Sequence, residues 1–361
     1  MTGSGTLEAI HRELGAVFGE LDGVTVVRNY GDAAAEYTAA RSAAAIVDRN
    51  DRVLLQLTGR DPVRMIHGLV SNDVAGAPEG QGVYAAMLTP KGKMVADLRI
   101  FRLPDRVLLE MAASAEAAVR EHLKKFVPPL FARVETTPEA LRVVGVYGPR
   151  ARELLGAALG SPPEAGAPEE AFTTISTAHG EALVIRTAYA GDGGYDVVVP
   201  AADADTIWRT LHAAGAVPAG HAALEALRIE AGRPRWGADL DDTVIPIEAG
   251  LRERAISETK GCYTGQEVII RILHRGHVNR HLRGLLLGDA PLPAPGTPLT
   301  RAADARPVGQ VTSACASPGL GQTIALGYVR REIEPPAELR LGSPEGAVVR
   351  VVALPFELAA G

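Results

Sequence analysis

The chain has 361 residues, of which 47% are hydrophobic and 22% charged, so it carries enough apolar side chains for folded cores and is not intrinsically disordered. Its formal net charge of −6 argues against a dedicated nucleic-acid-binding protein, because such proteins need a surplus of Lys and Arg. No apolar run is long enough to span a bilayer and two cysteines make no disulfide framework, so we expect a cytoplasmic protein without membrane or direct nucleic-acid partners.

The first part of the chain mixes strands and helices in an order typical of an α+β protein. The predicted elements are a helix over 33–47, a strand over 53–57, a helix over 62–70, a β-hairpin over 84–103, a strand over 107–111 and a helix over 114–126. Asp61 and Ser114 are the predicted N-caps of two of these helices. No glycine fingerprint follows a strand, so a dinucleotide-binding fold is not expected.

The second part of the chain repeats this texture and then changes. Its predicted elements are strands over 141–146, 182–187 and 195–199 and helices over 203–214 and 221–231. After about residue 281, short apolar runs alternate with Pro and Gly turns. That alternation predicts a C-terminal all-β module, a small barrel.

The most unusual string in the sequence holds a cysteine. It comprises Lys260, Gly261, Cys262, Tyr263, Thr264, Gly265, Gln266 and Glu267. The glycines let the backbone bend and leave the sulfur of Cys262 accessible. The nearby positive charge of Lys260 is predicted to lower the pKa of the thiol and make it a better nucleophile or metal ligand. The alternative is a small buried hydrophobic residue, as most free cysteines are.

A basic segment, residues 271–283, follows this string. It contains Arg271, His274, Arg275, His277, Arg280, His281 and Arg283. Histidines near a cysteine can bind zinc, but the arginine charge opposes a bound cation. We therefore interpret the segment as a basic strand or loop that receives an anion, with a solvated basic face as the simpler alternative.

The turn over residues 189–196 holds two aromatic and two acidic side chains among glycines. A carboxylate such as Asp196 can accept two hydrogen bonds from an amidine-like edge, and Tyr189 can supply a stacking wall. These residue types suit a flat heterocycle. An ordinary β-turn is the simpler alternative.

Two further charged residues lie within predicted elements. Arg228 lies on a helix and projects from a different face than Glu230. Asp97 lies in an apolar strand and shares a face with Arg99, so an Asp97–Arg99 salt bridge is the simpler alternative to a functional role for Asp97.

The order and spacing of these strings resemble the YgfZ/GcvT folate-binding family, which includes the aminomethyltransferase (T-protein) of the glycine cleavage system. The strings that carry the resemblance are residues 48–52, 71–73, 92–98, 189–196, 227–232, 246–251, 309–313 and 355–356. The cysteine string, residues 260–267, resembles the signature of the YgfZ branch.

The resemblance implies a three-domain α+β cloverleaf around a central folate site. The implied domains are residues 1–48 with 140–228, residues 49–139 with 229–280, and a C-terminal β-barrel over 281–361. It also implies that Tyr189 and Asp196 contact the pterin of tetrahydrofolate, that Arg228 lines the same pocket, and that Asp97 lies near the reactive folate nitrogens.

The sequence departs from the T-protein branch at two places. Ala96-Asp97 stands where that branch has a pair of aspartates, and the cysteine string stands where it has Lys, a variable residue, Asp and Phe. The YgfZ branch is associated with folate-dependent assembly or repair of iron–sulfur clusters, and hence with tRNA modification. The sequence therefore favours a tetrahydrofolate-binding accessory protein whose partners are iron–sulfur client or assembly proteins, with Cys262 as its reactive side chain.

Two alternatives stay open. One is a folate-dependent aminomethyl or methyl transferase of the T-protein type, with Asp97 as the base near the folate N5 and N10 atoms. The other is a non-catalytic scaffold that has lost folate binding.

Overall fold

The computed structural model describes residues 5–136, 141–191, 193–303 and 305–358. Within these ranges the chain forms two compact units. Unit 1 comprises the chain up to Met87, Val95–Leu224 and Ala255–Thr264, and unit 2 comprises Leu88–Met94, Glu225–Arg254 and the chain from Gly265 onward. None of the described helices is both long enough and apolar enough to cross a membrane.

The described ranges contain both helices and strands. In chain order the helices are α1 (Gly5–Glu13), α2 (Ala33–Ser42), α3 (Pro62–His67), α4 (Glu116–Phe126), α5 (Ala151–Leu159), α6 (Ala204–Ala213), α7 (His221–Glu230), α8 (Arg252–Ala255) and α9 (Gln266–Arg275). The strands are β1 (Val17–Leu21), β2 (Val24–Asn29), β3 (Ala45–Asp48), β4 (Arg52–Thr58), β5 (Val83–Leu88), β6 (Met94–Arg102), β7 (Val107–Ala112), β8 (Arg133–Thr136), β9 (Leu141–Tyr147), β10 (Phe172–Thr177), β11 (Gly180–Thr187), β12 (Gly194–Pro200), β13 (Val217–Pro218), β14 (Arg280–Gly288), β15 (Pro298–Thr300), β16 (Pro307–Ser317), β17 (Gln322–Arg330), β18 (Ala337–Leu341) and β19 (Val348–Val352).

Unit 1 is built on two sheets. The six-stranded sheet has the order β10-β11-β12-β9-β3-β13, and its neighbouring strands are antiparallel except for the parallel pair β3 and β13. The five-stranded sheet has the order β5-β6-β7-β4-β8, and β1 pairs with β2 as a separate hairpin. The predicted domain boundaries stay predictions.

Alternate residues of one strand serve two different cores in unit 1. Val197 and Val199 of β12 pack in a cluster with Trp208 of α6, on the face that the helices cover. Val198 points to the opposite face and packs in a cluster with residues of the five-stranded sheet, where Phe101 and Phe172 meet edge to face at 5.6 Å between ring centroids. Both faces of β12 are therefore covered, which explains why three consecutive valines, residues 197–199, occur in it.

The C-terminal strands of unit 2 close into a six-stranded barrel with the order β14-β17-β16-β15-β18-β19. Its interior is filled by alternate apolar side chains, among them Leu285, Val311, Val329 and Val351. The predicted α+β class and the predicted C-terminal β-barrel are confirmed.

One predicted helix is too long. We expected a helix over residues 33–47, but α2 ends at Ser42, and the last three residues of that run together with Asp48 form the buried strand β3. β3 lies between β9 and β13, where each of its residues is covered on both sides. A short apolar run is compatible with either a helix or a strand. Here the pairing with β9 and β13 selects the strand.

The two predicted N-caps have different outcomes. Asp61 caps α3, since its carboxylate accepts a hydrogen bond from the Arg64 N–H at 3.3 Å and Pro62 begins the helix. Ser114 is not an N-cap, because a 3₁₀ turn over Ala113–Ala115 precedes α4 and continues into it without a side-chain cap.

The prediction that residues 271–283 form a strand or loop is wrong for their first part. Arg271 lies in α9, which Gly265 precedes with a positive φ of 83°. The apolar residues of α9 recur at helical spacing around the buried Ile269, while its charged residues are exposed. A strand begins only at Arg280.

Candidate functional site

Asp196, on β12 of unit 1, lies inside a buried charge cluster and is 1% exposed. Its Oδ2 accepts a hydrogen bond from Arg99 Nη1 at 2.7 Å, and its Oδ1 accepts one from the Tyr147 hydroxyl at 2.6 Å. Arg49 donates to the Tyr147 oxygen at 2.8 Å and its Nη1 lies 4.0 Å from Asp196 Oδ1. Both carboxylate oxygens of Asp196 are therefore bonded to protein groups.

A glycine on the neighbouring strand makes the Tyr147–Asp196 hydrogen bond possible. Gly145 is the register partner of Asp196, and a Cβ atom at Gly145 would lie 2.3 Å from the Tyr147 hydroxyl oxygen. Without a side chain there, the Tyr147 ring can lie along the strand and reach Asp196. Burial raises the pKa of Tyr147 well above its ordinary value, so the hydroxyl stays a donor.

Arg99 is shared between two acids. It lies directly opposite Glu110 in the β6–β7 ladder, and its Nε donates to Glu110, as does the Nε of Arg52. Burial raises the pKa of the fully buried Glu110, but the two arginines outweigh it and lower the pKa to about 2. The expected Asp97–Arg99 salt bridge is wrong, because the register aims Arg99 at Glu110 and its Nη1 at Asp196.

Asp97, on β6, is 7% exposed and differs from Asp196 in its bonding. Its Oδ2 accepts a hydrogen bond from the Tyr84 hydroxyl at 3.1 Å. Its Oδ1 is buried and has no hydrogen-bond partner among the described residues. Buried carboxylate oxygens are normally bonded, so an acceptor left open in this way can receive a proton or a ligand N–H.

Tyr189 is partly buried beside the Asp196 cluster. The Arg49 guanidinium lies over its ring, 4.8 Å from the centroid, so the structure brings Tyr189 and Asp196 to the same arginine. Gly193 in this turn has φ of 84°, and a Cβ there would lie 3.0 Å from the carbonyl oxygen of Gly148. The second acid of the turn, Asp192, lies outside the described residues.

Lys260 has a structural role in unit 1. The residue is 9% exposed, and its ammonium group donates to the carbonyl oxygens of His67 at 2.6 Å, Val70 at 2.7 Å and Asn72 at 3.0 Å. Burial lowers its pKa to about 8. The three ammonium hydrogens are thus used to anchor the segment after α3, a role that the sequence analysis missed.

Cys262 is exposed, so the alternative of a buried hydrophobic residue is wrong for this cysteine. That alternative describes Cys315 instead, which is buried and whose pKa burial raises to about 12. Next to Cys262, the Tyr263 ring is buried and lies 5.1 Å from the Lys260 ammonium. A reactive role for Cys262 stays a prediction.

The remaining residues of the cysteine string lead into α9 in unit 2. Gly265 is the residue before the helix, and a Cβ there would lie 2.6 Å from the carbonyl oxygen of Thr89. Gln266 begins the helix, and Glu267 pairs with Arg271 one turn on at 2.8 Å, with both side chains exposed.

Arg228, on α7, is fully buried and bonded within unit 2. Its guanidinium donates to both carboxylate oxygens of Glu225, to Asp239 Oδ2 at 2.5 Å and to the carbonyl oxygen of Arg233 at 3.1 Å. Its role in a folate pocket stays a prediction. The sequence analysis missed Glu225, although its spacing of three residues from Arg228 on one helix was the available signal.

Asp239 joins Arg228 to the barrel within unit 2. Its Oδ1 accepts hydrogen bonds from the Thr312 hydroxyl at 2.5 Å and the Ser313 hydroxyl at 2.8 Å, and its backbone oxygen accepts one from Tyr328 at 2.9 Å. Thr312 and Ser313 belong to a string that carried the family resemblance. Their place in that string therefore has a structural reason.

Across the four described ranges, no group of three or more His, Cys, Asp or Glu side chains is arranged to hold a metal ion.

Two family models and several full-length relatives match this chain. Residues 7–260 match the GCVT N-terminal domain family, and residues 280–356 match the glycine cleavage T-protein C-terminal barrel domain family. An aminomethyltransferase of Cupriavidus necator is 32% identical over 91% of this chain and 89% of its own length. One of Rubrobacter xylanophilus is 31% identical over 96% of this chain and 92% of its own length.

A solved structure is similar over the same extent. The glycine cleavage system aminomethyltransferase T from Bartonella henselae superposes with a TM-score of 0.87 at 23% identity, over 98% of this chain and 97% of its own. That likeness shows the fold. Assignment to the YgfZ branch stays a prediction, whereas the two domain matches and the relatives establish the wider group: the chain belongs to the glycine cleavage T-protein (GcvT) family.

Proposed function

We propose that the chain is a tetrahydrofolate-dependent aminomethyl or methyl transferase of the T-protein type. The relatives named aminomethyltransferase match nine-tenths or more of the chain, which favours this function over the accessory role that the cysteine string favoured. The observation that carries the proposal is the open Oδ1 of Asp97, a buried carboxylate oxygen without a partner among the described residues.

Asp97 is the proposed proton acceptor. Transfer of a carbon unit to a folate nitrogen requires that the nitrogen lose its proton, and a positioned carboxylate can take it. The Tyr84 hydroxyl holds Oδ2 and so orients the carboxylate, while Oδ1 stays available. Arg52 interacts electrostatically with Asp97, but its Nε donates its hydrogen bond to Glu110. The Arg52 Nε–H therefore does not occupy Asp97.

Tyr189, Asp196 and Arg228 are the proposed pterin-binding residues, on the family resemblance. Asp196 accepts two hydrogen bonds in the structure, from Arg99 and Tyr147. A carboxylate offers about four acceptor positions, so Asp196 retains capacity for ligand N–H groups. The aromatic ring of Tyr189 suits a flat heterocycle.

The direct test is turnover of the purified full chain. Incubated with tetrahydrofolate and an aminomethyl donor, the protein is expected to form methylenetetrahydrofolate. Asp97→Asn keeps the shape of the side chain but removes the base, so we expect turnover to fall by about a hundredfold or more with tetrahydrofolate affinity retained.

The matched control is Asp105→Asn, since the Asp105 side chain is 70% exposed. This variant is expected to turn over at the wild-type rate. Undiminished turnover by Asp97→Asn would contradict the proposed base.

A second candidate function rests on the exposed Cys262. The accessible thiol lies two residues after the buried, anchored Lys260, in the string that resembles the YgfZ signature. We infer from it a folate-binding accessory protein in iron–sulfur cluster assembly or repair. Cys262 would then act as a transient thiolate on client or assembly proteins.

Substitution of the two free cysteines, Cys262 and Cys315, distinguishes the two functions. If the accessory function is right, Cys262→Ala retains folate binding but no longer supports iron–sulfur client enzymes in cells, while the control Cys315→Ala does. If Cys262→Ala fully supports the client enzymes and the protein also forms methylenetetrahydrofolate, the accessory function is wrong and only the transferase function remains. A folate affinity unchanged in Tyr189→Ala with Arg228→Ala would favour the scaffold that has lost folate binding.

A further inference from the structure

A cavity of about 450 Å³ opens in unit 1. Its lining comes from α1, the β1–β2 hairpin, the end of β3, the start of β9 and the start of α6. Neither Asp97, Tyr189 nor Asp196 lines it. Small-molecule sites in proteins have volumes of roughly 300–1,000 Å³, so the cavity has the size of such a site.

Two acceptor oxygens in the lining have no partner among the described residues. Asp48 is 8% exposed, and its Oδ1 is buried and unbonded while its Oδ2 is held by His11. Asn50 repeats the pattern, because its Nδ2 donates to the Thr25 carbonyl at 2.7 Å and its Oδ1 is buried and unbonded. An unbonded buried acceptor is energetically unfavourable, so both oxygens favour a ligand that brings N–H donors.

A hydrogen-bond chain behind Asp48 keeps it an acceptor. The Tyr30 hydroxyl lies 2.8 Å from His11 Nδ1, and His11 Nε2 lies 3.1 Å from Asp48 Oδ2. Burial raises the pKa of Tyr30, so its hydroxyl keeps its proton and is able to donate to Nδ1 when that nitrogen carries no hydrogen. The other ring nitrogen then carries the hydrogen and donates to Asp48. His11 itself is 1% exposed and packs edge to face on Trp208, which fixes its ring.

A guanidinium completes the polar lining. Arg142 is two residues from Val144, the register partner of Asp48, so Arg142 and Asp48 lie on the same face of the sheet. Arg142 lines the cavity and forms no hydrogen bond or ion pair within the described ranges. The other arginine of the lining, Arg12, is already paired with Glu8 at 2.6 Å.

The charges of the lining define the ligand class. The lining contains two carboxylates, Glu8 and Asp48, and two arginines, Arg12 and Arg142, so its acidic and basic side chains are equal in number. A ligand with only a cation would meet an unpaired Arg142, and one with only an anion would meet Asp48. A zwitterion satisfies both.

We propose that this cavity is a second small-molecule site that takes a free α-amino acid. The ligand's ammonium group donates to Asp48 Oδ1 and Asn50 Oδ1, and its carboxylate pairs with the Arg142 guanidinium. Phe18 and Val27 supply an apolar wall for an aliphatic side chain. The site is independent of the proposed folate chemistry, and Asp48 and Asn50 belong to a family-like string that the proposed function leaves without a role.

The test is calorimetric titration of the full chain with glycine, L-alanine and L-leucine, each used separately. Ethylamine and propionate serve as half-molecules that carry only the ammonium or only the carboxylate. We expect at least one amino acid to bind in the millimolar range or tighter, and both half-molecules to bind about tenfold more weakly or worse, since each lacks one charge-assisted contact. Absence of binding by all three amino acids, or equal affinity for a half-molecule, overturns the proposal.

Two variants test the assigned contacts. Asp48→Asn keeps an acceptor for His11 but turns an amide N–H₂ toward the ammonium, so amino-acid affinity is expected to fall about tenfold or more. Arg142→Gln removes the carboxylate partner and is expected to abolish the preference for the amino acid over ethylamine. Arg209→Gln, at a side chain that is 59% exposed and outside the lining, is the control.

Thermal unfolding and tetrahydrofolate binding are measured on the same samples. Thermal unfolding identifies a variant that does not fold, and the test then rests on the amino-acid affinity of the other variant. Unchanged amino-acid affinity in a folded Asp48→Asn or Arg142→Gln variant overturns the proposal, whatever the outcome for folate.

Discussion

The carboxylates of unit 1 fall into two groups that use their oxygens differently. Glu110 and Asp196 are fully bonded, each between an arginine and a second donor, in the charge cluster that joins the two sheets. Asp97 and Asp48 each have one bonded oxygen and one buried oxygen without a partner in the described ranges. Each oxygen of the bonded pair has a protein donor, whereas each residue of the open pair presents one oxygen to which no described protein group donates. Burial alone does not distinguish them, because all four are less than 10% exposed.

The same contrast separates the two most distinctive cations. Arg228 in unit 2 is saturated by Glu225, Asp239 and a backbone oxygen. Arg142 in unit 1 has no hydrogen-bond or ion-pair partner among the residues that the structure describes, and it lines a cavity.

Breaking the bonded group is expected to have the largest effect on stability. Glu110→Gln leaves the charges of Arg52 and Arg99 buried without their carboxylate, so the free energy of unfolding should fall by about 3–5 kcal/mol. Chemical denaturation measures the loss, and Glu153→Gln, at an exposed glutamate, should leave stability unchanged.

The ion pairs of Glu110 also predict how the stability of the protein changes with pH. The pKa of Glu110 is about 2 in the folded protein against an ordinary 4.5, so its contribution is present above pH 4.5 and is lost as the pH falls from there towards 2. Glu110→Gln should remove that loss. A variant with the same acid sensitivity as wild type would contradict the assigned ion pairs.

Removal of the anchored lysine is expected to have the next largest effect. Lys260→Met leaves three buried carbonyl oxygens without their donor, for a loss of about 2–4 kcal/mol. Lys124→Met, at an exposed lysine in α4, is the control. A loss no larger than that of the control would refute the anchoring role.

The depressed pKa of Lys260 adds a pH window. The folded protein releases this proton near pH 8 and the unfolded chain only near its ordinary value of 10.5. The unfolded state then binds more protons, so wild-type stability relative to Lys260→Met should rise between these two pH values. Denaturation curves across that range measure the difference, and a flat difference would contradict the lowered pKa.

The open group is expected to show the smallest effect on stability. Asp97→Asn removes a buried charge that has only one hydrogen bond, so the free energy of unfolding should change by no more than about 1 kcal/mol. Turnover should nevertheless be lost. A variant destabilised as much as Glu110→Gln would place Asp97 with the bonded carboxylates and end the comparison.

Much of the fold was predictable because hydrophobic patterns are local. The hairpin of β5 and β6, the Asp61 cap and the C-terminal barrel follow from apolar periodicity and turn residues. The split of residues 33–47 into α2 and β3 was not predictable in this way. Those residues suit either structure, and only pairing with β9 and β13 selects the strand.

The candidate site divides along the same line. Sequence strings identified Asp97, Tyr189, Asp196 and Arg228 as unusual residues, and family membership gave them a shared context. They did not identify the partners of these residues, such as Tyr147, which donates to Asp196 from 49 positions away along the chain. Nor did they show which oxygens remain open.

The sequence alone determined the α+β class, the barrel and the family, because apolar periodicity and the spacing of motifs are visible in the order of the residues. Strand register and side-chain direction decided the rest. Register set Arg99 against Glu110 instead of Asp97, and the packing of α1 on the sheet enclosed a cavity around Asp48 and Arg142. Hydrogen-bond saturation depends on groups that only folding brings together, so no linear pattern can report it.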